Sequence, residues 1–171
     1  SGRITTPVVA AGAILIDALK KKGIRIGTHI KQCGTIQDTP FTNCEEEIAK
    51  LNELLFPVLD GKAAEEMHAY MEAAANEGDS VGGILETVVT GIPAGVGEPW
   101  FDSMESVLAH GMFSIPAVKG VEFGKGFAFA EMKGSEANDP FEMKDGKVQT
   151  KTNNNGGING GITNGMPVLF N

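Results

Sequence analysis

From Thr152 to Gly165 the chain reads TNNNGGINGGITNG, with five asparagines and five glycines and only two isoleucines to bury. No other stretch constrains the fold so tightly. Glycine adopts positive φ at little cost and lets main chain come close to a neighbour. Successive backbone amides can form a concavity for an anion. Asparagine side chains add donors and acceptors. The segment is therefore equipped to meet a phosphate or the edge of a flat ring. A mobile polar surface loop fits the same composition. The pattern is neither GxGxxG after a strand nor GxxxxGK[ST], so neither a dinucleotide fold nor a P-loop is implied.

With 171 residues, 42% hydrophobic and 21% charged, the chain has enough apolar material for a core and is not of disordered composition. The length suits one domain, or part of a larger one. Lysine and arginine number 14 against 22 acids, which excludes a large basic footprint for nucleic acid. No continuous apolar run approaches the roughly 20 residues that span a bilayer, and the start does not read as a signal peptide, so no membrane role is expected. Cys33 and Cys44 form no CxxC pair, so neither a disulfide framework nor a metal site is expected, and a reducing cytoplasm is the default. The chain lacks an initiator Met and closes on the apolar run Met166-Pro167-Val168-Leu169-Phe170-Asn171. Both features suggest a piece of a longer protein, with a strand edge left at its end.

Thr5-Thr6-Pro7 reads as a helix start, with Lys20 to Lys22 in the last turn and Gly23 beyond. Residues 24–32 alternate as a strand, and 45–56 and 62–77 carry helical spacing. Residues 81–90 read as a strand with Gly82 and Gly83 inside it, a sign of close backbone approach. Asp102-x-x-Glu105 resembles a capping box opening a helix to about Phe113. Residues 118–123 and 127–132 read as two strands joined through Gly124-Lys125-Gly126, and 134–151 as a long polar loop. Helices mixed with hairpin-joined strands predict an α+β arrangement.

Met112-Phe113-Ser114-Ile115-Pro116-Ala117 places a proline turn after that helix, which can offer main-chain groups to a flat ring or can simply connect a helix to a strand. His110 sits late in the helix, where the helix end favours an imidazolium: a catalytic acid is conceivable there, and capping of carbonyls or packing at the helix end is the expected role. His29 and His68 are isolated, without HExxH spacing, and no GxSxG is present. Arg3 and Arg25 are the only arginines, few for a multiply charged phosphate ester.

Five blocks in order, SGRITTPVVAAGAI, GDSVGGILETVVTGIPAGVGEPWFD, LAHGMFSIPAVKGVEFGKGF, GSEANDPF and TNNNGGINGGITNGMPVLF, resemble the central blocks of chorismate synthase. The stretch from Lys31 to Gly61 is the least similar. The resemblance implies an α+β fold of helices packed between antiparallel sheets, a β-α-β sandwich, here incomplete, with 1–171 as one central domain of a larger protein. It implies a lyase of aromatic amino acid biosynthesis. The substrate would be the small molecule 5-enolpyruvylshikimate 3-phosphate, which loses phosphate by 1,4-anti elimination to give chorismate with reduced FMN as cofactor. NADP, a cytoplasmic setting and a homotetramer also go with the family.

Residue by residue, Ser1 matches the last position of a short flavin-touching Arg/His-x-Ser element. Arg3 matches the arginine of the SGR block and becomes a substrate anion contact. Pro116 and Ala117 match a pair that lies on the flavin, and Gly160 matches a flavin-contacting glycine. The family's amino-terminal Gly-Glu-Ser-His block, its second catalytic histidine and its carboxy-terminal Lys-Pro and GRHDP-like blocks have no counterpart here. His110 matches neither family histidine. No catalytic residue is therefore assigned, and the chain alone is expected to be inactive. A non-catalytic α+β self-association core and a flavin-binding module of another family stay as alternatives.

Overall fold

The computed structural model describes residues 2–171 and gives two compact units, one of residues 26–88 and one of residues 1–25 with 89–171. Ser1 lies outside the described residues.

In the unit 26–88, strand β1 (Arg25–Cys33) pairs antiparallel with the short β2 (Ile36–Gln37). Helices α2 (Cys44–Leu51) and α3 (Gly61–Asn76) follow, then β3 (Gly83–Thr90), and the strand order is β2-β1-β3. Asp60 caps α3 by accepting from the Lys62 amide at 2.9 Å. Cys33, Val58, Ala63 and Met67 form the core, with Ile30, Phe56 and Met71 packed on it. A Cβ on Gly27 would strike Ile48 Cγ1 at 2.7 Å, so this strand glycine is what lets α2 lie against β1.

The other unit opens with α1 (Gly2–Lys21), one turn earlier than the threonines suggest. Thr6 Oγ1 donates back to the Gly2 carbonyl at 2.6 Å, and Pro7 sits inside the helix. The helix closes as expected: Gly23 N–H bonds Lys20 O and Ile24 N–H bonds Leu19 O, a Schellman pair. None of α1 is buried, and Ile4 and Ile14 are 74% and 73% exposed. Its mean hydropathy of 1.4 over an 18-residue window makes it long and apolar enough to cross a membrane, which corrects the expectation drawn from continuous runs. Scattered threonine, glycine and aspartate break the run without lowering the helix average much. One such helix is weak evidence of a membrane.

A 3₁₀ turn (Trp100–Asp102) precedes α4 (Met104–Phe113). Ser103, not Asp102, caps α4, accepting from the Ser106 amide at 3.1 Å. The expected hairpin through Gly124 is absent. Residues 126–131 form a 3₁₀ helix instead, and Phe123 makes one bridge to Phe170. The main chain there is already engaged: Gly124 N–H donates to Leu169 O at 2.9 Å and Lys125 N–H to Asn154 O at 2.8 Å. The Glu122 carboxylate accepts from the Phe127 amide at 3.1 Å and tightens the turn.

The expected loop 134–151 holds the short α5 (Gly134–Ala137) and a hairpin, β4 (Phe141–Lys144) with β5 (Lys147–Thr150), turning on Asp145-Gly146. A second hairpin follows, β6 (Ile158–Asn159) with β7 (Ile162–Thr163), then β8 (Val168–Phe170). The end of the chain is not an open edge. Glu122 and Asn171 exchange main-chain hydrogen bonds at 3.0 and 2.9 Å. Helices mixed with antiparallel ladders make the α+β class read from the sequence.

Candidate functional site

The asparagine–glycine segment is built into the fold. Asn154, Gly156, Gly157, Ile158 and Thr163 are buried. Asp139 organises its first half. Its carboxylate accepts from the Asn154 amide at 2.7 Å, the Asn155 amide at 2.8 Å, Asn155 Nδ2 at 2.8 Å and Thr152 Oγ1 at 2.7 Å. Burial alone would raise its pKa. The donated hydrogen bonds outweigh that, with the Asn155 amide foremost, and hold it below the ordinary carboxylate value. The concavity of amides exists as expected, but at Asn154 and Asn155 the chain's own carboxylate fills it.

The second half is the β6–β7 hairpin, with Ile158 opposite Thr163 and Asn159 opposite Ile162. Gly160 (φ 60°) and Gly161 (φ 88°) make its turn, a two-residue loop with positive φ at both positions. Gly161 faces inward. A Cβ there would meet Ser103 Cβ at 2.8 Å and Glu98 O at 2.9 Å, and its carbonyl accepts from the Met104 amide at 2.9 Å. Gly160 faces outward, with open space where its Cβ would stand. Thr163 fixes the hairpin to the 93–97 loop: its Oγ1 donates to Pro93 O at 2.7 Å and accepts from the Val96 amide at 2.9 Å.

The hairpin thus caps the N-terminal end of α4. Pro116 and Ala117 sit past its C-terminal end. There Val118 N–H donates to Ile115 O at 3.3 Å and closes a four-residue turn. Ala117 adopts φ 70° at the third position, where a type II turn favours glycine. Strain of that kind costs about 1–3 kcal/mol and gathers at functional sites. Both residues are exposed.

The two expected contact regions share one unit: the hairpin meets the start of α4, and the Pro116–Ala117 turn follows its end in the chain. The ten residues of α4 span about 15 Å at 1.5 Å per residue. Arg3 lies exposed in the first turn of α1. His110 lies in the last turn of α4, as the sequence suggests.

The residues missed by sequence reasoning are Asp139 and Trp100. Asp139 carried no signal, because an acid fifteen positions from the amides it binds looks like any loop acid. Trp100, the sole tryptophan, is 84% exposed at φ 68°, beside Phe101 and the hairpin's end of α4.

The family model for chorismate synthase matches residues 1–171. A chorismate synthase of Thermococcus gammatolerans is 49% identical over 169 residues, covering 99% of this chain and 46% of the relative. One of Pyrococcus abyssi shows the same identity and coverage, and one of Methanosarcina barkeri is 43% identical over 169 residues, with 46% of it covered. A crystal structure of chorismate synthase superposes with a TM-score of 0.90 at 32% identity, over 99% of this chain and 55% of that one. The chain spans about half the length of the curated relatives it matches.

Proposed function

The chain belongs to the chorismate synthase family of lyases, and from that premise we propose that the protein converts 5-enolpyruvylshikimate 3-phosphate to chorismate and phosphate by 1,4-anti elimination, with reduced FMN. Residues 1–171 are the central part of the domain that does so. When bound, reduced FMN supplies electron density that eases departure of the phosphate.

The chain's own contribution is a surface. Gly160 offers outward main chain with no side chain in the way, and the Pro116–Ala117 turn offers a second exposed patch at the other end of α4. These residues fit an elongated, flat-headed ligand such as a flavin mononucleotide. Ser1 is a further flavin contact by family position. Arg3 is the candidate contact for the substrate's anionic groups. With two arginines in the sequence, this chain holds little charge for two phosphate-bearing ligands. We therefore expect the 171-residue chain alone to be inactive and to bind FMN weakly. Homotetramer formation, a cytoplasmic setting and an NADP-linked source of reduced flavin complete the proposal, and family membership alone supports them.

The observation that carries the site reading is the open space at Gly160. Gly160→Ala keeps the turn at a strain of about 1–2 kcal/mol and puts a methyl where the flavin would lie. Gly165→Ala has the same kind of strain, at φ 86°, and only an ordinary 3.7 Å contact to Ala94. In the full-length enzyme, Gly160→Ala is expected to weaken FMN binding by tenfold or more, and Gly165→Ala to leave it unchanged. Equal affinity in both variants would remove Gly160 from the site. Calorimetric titration with FMN reads the affinity of each variant.

A further inference from the structure

Within the unit 26–88 a charged cluster lies under cover, and the proposed chemistry makes no use of it. His29, on β1, is 0% exposed. Its Nδ1 stands 2.6 Å from Asp38 Oδ2 and its Nε2 stands 3.1 Å from Glu86 Oε2, on β3. Lys31 Nζ donates to Glu86 Oε1 at 2.7 Å. Asp38 also accepts from the amides of Thr39 at 2.8 Å, Leu59 at 2.7 Å and Asp60 at 2.9 Å. The Phe41 ring closes on His29 edge-on, with centroids 4.8 Å apart. The two carboxylates lie on opposite nitrogens and do not converge on a common ion.

A neutral imidazole has one N–H and one lone pair. Both ring nitrogens here face carboxylate oxygens, so both hydrogen bonds form only when the ring carries two protons. The cluster then balances: Asp38 and Glu86 against His29 and Lys31. Removing one ring proton leaves a lone pair against a buried carboxylate, an arrangement that costs far more inside a protein than in water. Nδ1 has the shorter contact and keeps its proton, so Glu86 loses the His29 bond and is held to β1 by Lys31 alone.

We propose that His29 is a buried imidazolium latch, which ties β1 to β3 through Glu86 and to the turn before α3 through Asp38, and which opens when alkaline pH removes its second proton.

The groups that face it agree in sign. Burial pulls the His29 pKa down, but hydrogen bonds to Glu86 and Asp38 outweigh it and raise the value above the usual histidine range. Burial pushes Glu86 and Asp38 up, but His29 and Lys31 on one, and the Leu59 and Asp60 amides on the other, bring both below the ordinary range. From α2, the Cys44 thiol is raised by burial and by Glu47, with Glu45 and Glu86 adding to it, so it is protonated and adds no charge near neutrality. A raised histidine stabilises the fold fully below its unfolded pKa, and the gain disappears as pH climbs through the folded value. The lowered carboxylates stabilise above their unfolded pKa and lose that gain as pH falls through the folded values. The latch is therefore closed from mildly acidic pH through neutrality.

The test is ¹⁵N NMR of the histidine side chains in the full-length protein, with amide hydrogen exchange read at Leu59 and Asp60 across pH 6 to 10. Both nitrogens of His29 are expected to stay protonated above the ordinary histidine pKa. As pH climbs from the unfolded towards the folded His29 pKa, protection at the two amides, corrected for the intrinsic rate, should fall by up to tenfold per pH unit, the slope of a single linked proton, and level off above the folded value. Glu86→Gln removes one carboxylate but keeps a hydrogen-bond acceptor, and should move the midpoint to lower pH. If His29 is singly protonated at pH 7, or if protection at Leu59 and Asp60 ignores its titration, the latch is refuted. A midpoint unmoved by Glu86→Gln refutes it equally.

Discussion

At the scale of single residues, Asp139 shows how a loop rich in asparagine and glycine becomes structure. Its carboxylate takes four donors from Thr152, Asn154 and Asn155, so the amides that could serve an outside anion serve an inside one. Hydrogen bonds to a charged acceptor contribute about 1.5–3 kcal/mol. Asp139→Asn should therefore lower stability by roughly 2–3 kcal/mol, measured as a shifted urea midpoint. Because folding lowers its pKa, Asp139 stabilises above the ordinary carboxylate value, and that part is lost as pH falls through the folded one. The wild type should lose stability on acidification more steeply than the variant. A variant as stable as wild type at pH 7 would contradict the assignment. The sequence could show the amides, because asparagine–glycine runs advertise them. It could not show the acid that fills them, because that pairing crosses fifteen positions.

Individual elements were legible where one face is buried at a regular period. The helix at α3 follows its apolar pattern, with Ala63 and Met67 in the core, while β1 forms where its alternation placed it but buries Gly27, His29 and Cys33 more deeply than the alternating Ile26, Thr28 and Ile30. Residues 118–132 misled for a physical reason. Phe127, Ala128, Phe129 and Ala130 alternate, but Gly124 and Lys125 bond to Leu169 and Asn154, and the following residues close on the turn itself, the Phe127 amide on the Glu122 carboxylate and the Ala128 amide on Lys125 O. The β4–β5 hairpin had a usable signal, the Asp145-Gly146 pair, with φ 50° and 74°. Its flanking strands expose Phe141, Met143 and Val148, so no buried face announced them. Gly146→Ala, in open space at positive φ, should weaken that hairpin by about 1–2 kcal/mol. Faster hydrogen exchange confined to the amides of residues 141–150 would bear this out, and unchanged rates there would not.

For the whole molecule, α1 stands out: a 20-residue apolar helix with no buried residue. Surface of that size is seldom left bare in water. The 171-residue chain should therefore run as a dimer or larger species in light scattering, and a monomer at high concentration would count against this. Open strand edges are not the cause, since β8 is paired through Glu122 and Asn171. The family was legible from five blocks in order. The spacing of the site along α4 was not, because sequence order does not say that one contact region caps the helix start while the other follows its end.

The central claim is that Gly160 and the Pro116–Ala117 turn, at the two ends of α4, hold a single flavin. Hydrogen exchange on the full-length enzyme, with and without reduced FMN, tests it directly. Slowed exchange at both Gly160 and Ala117, rising together with one saturation curve, is the predicted result. Protection at only one end of α4, or at neither while FMN is bound, would contradict it.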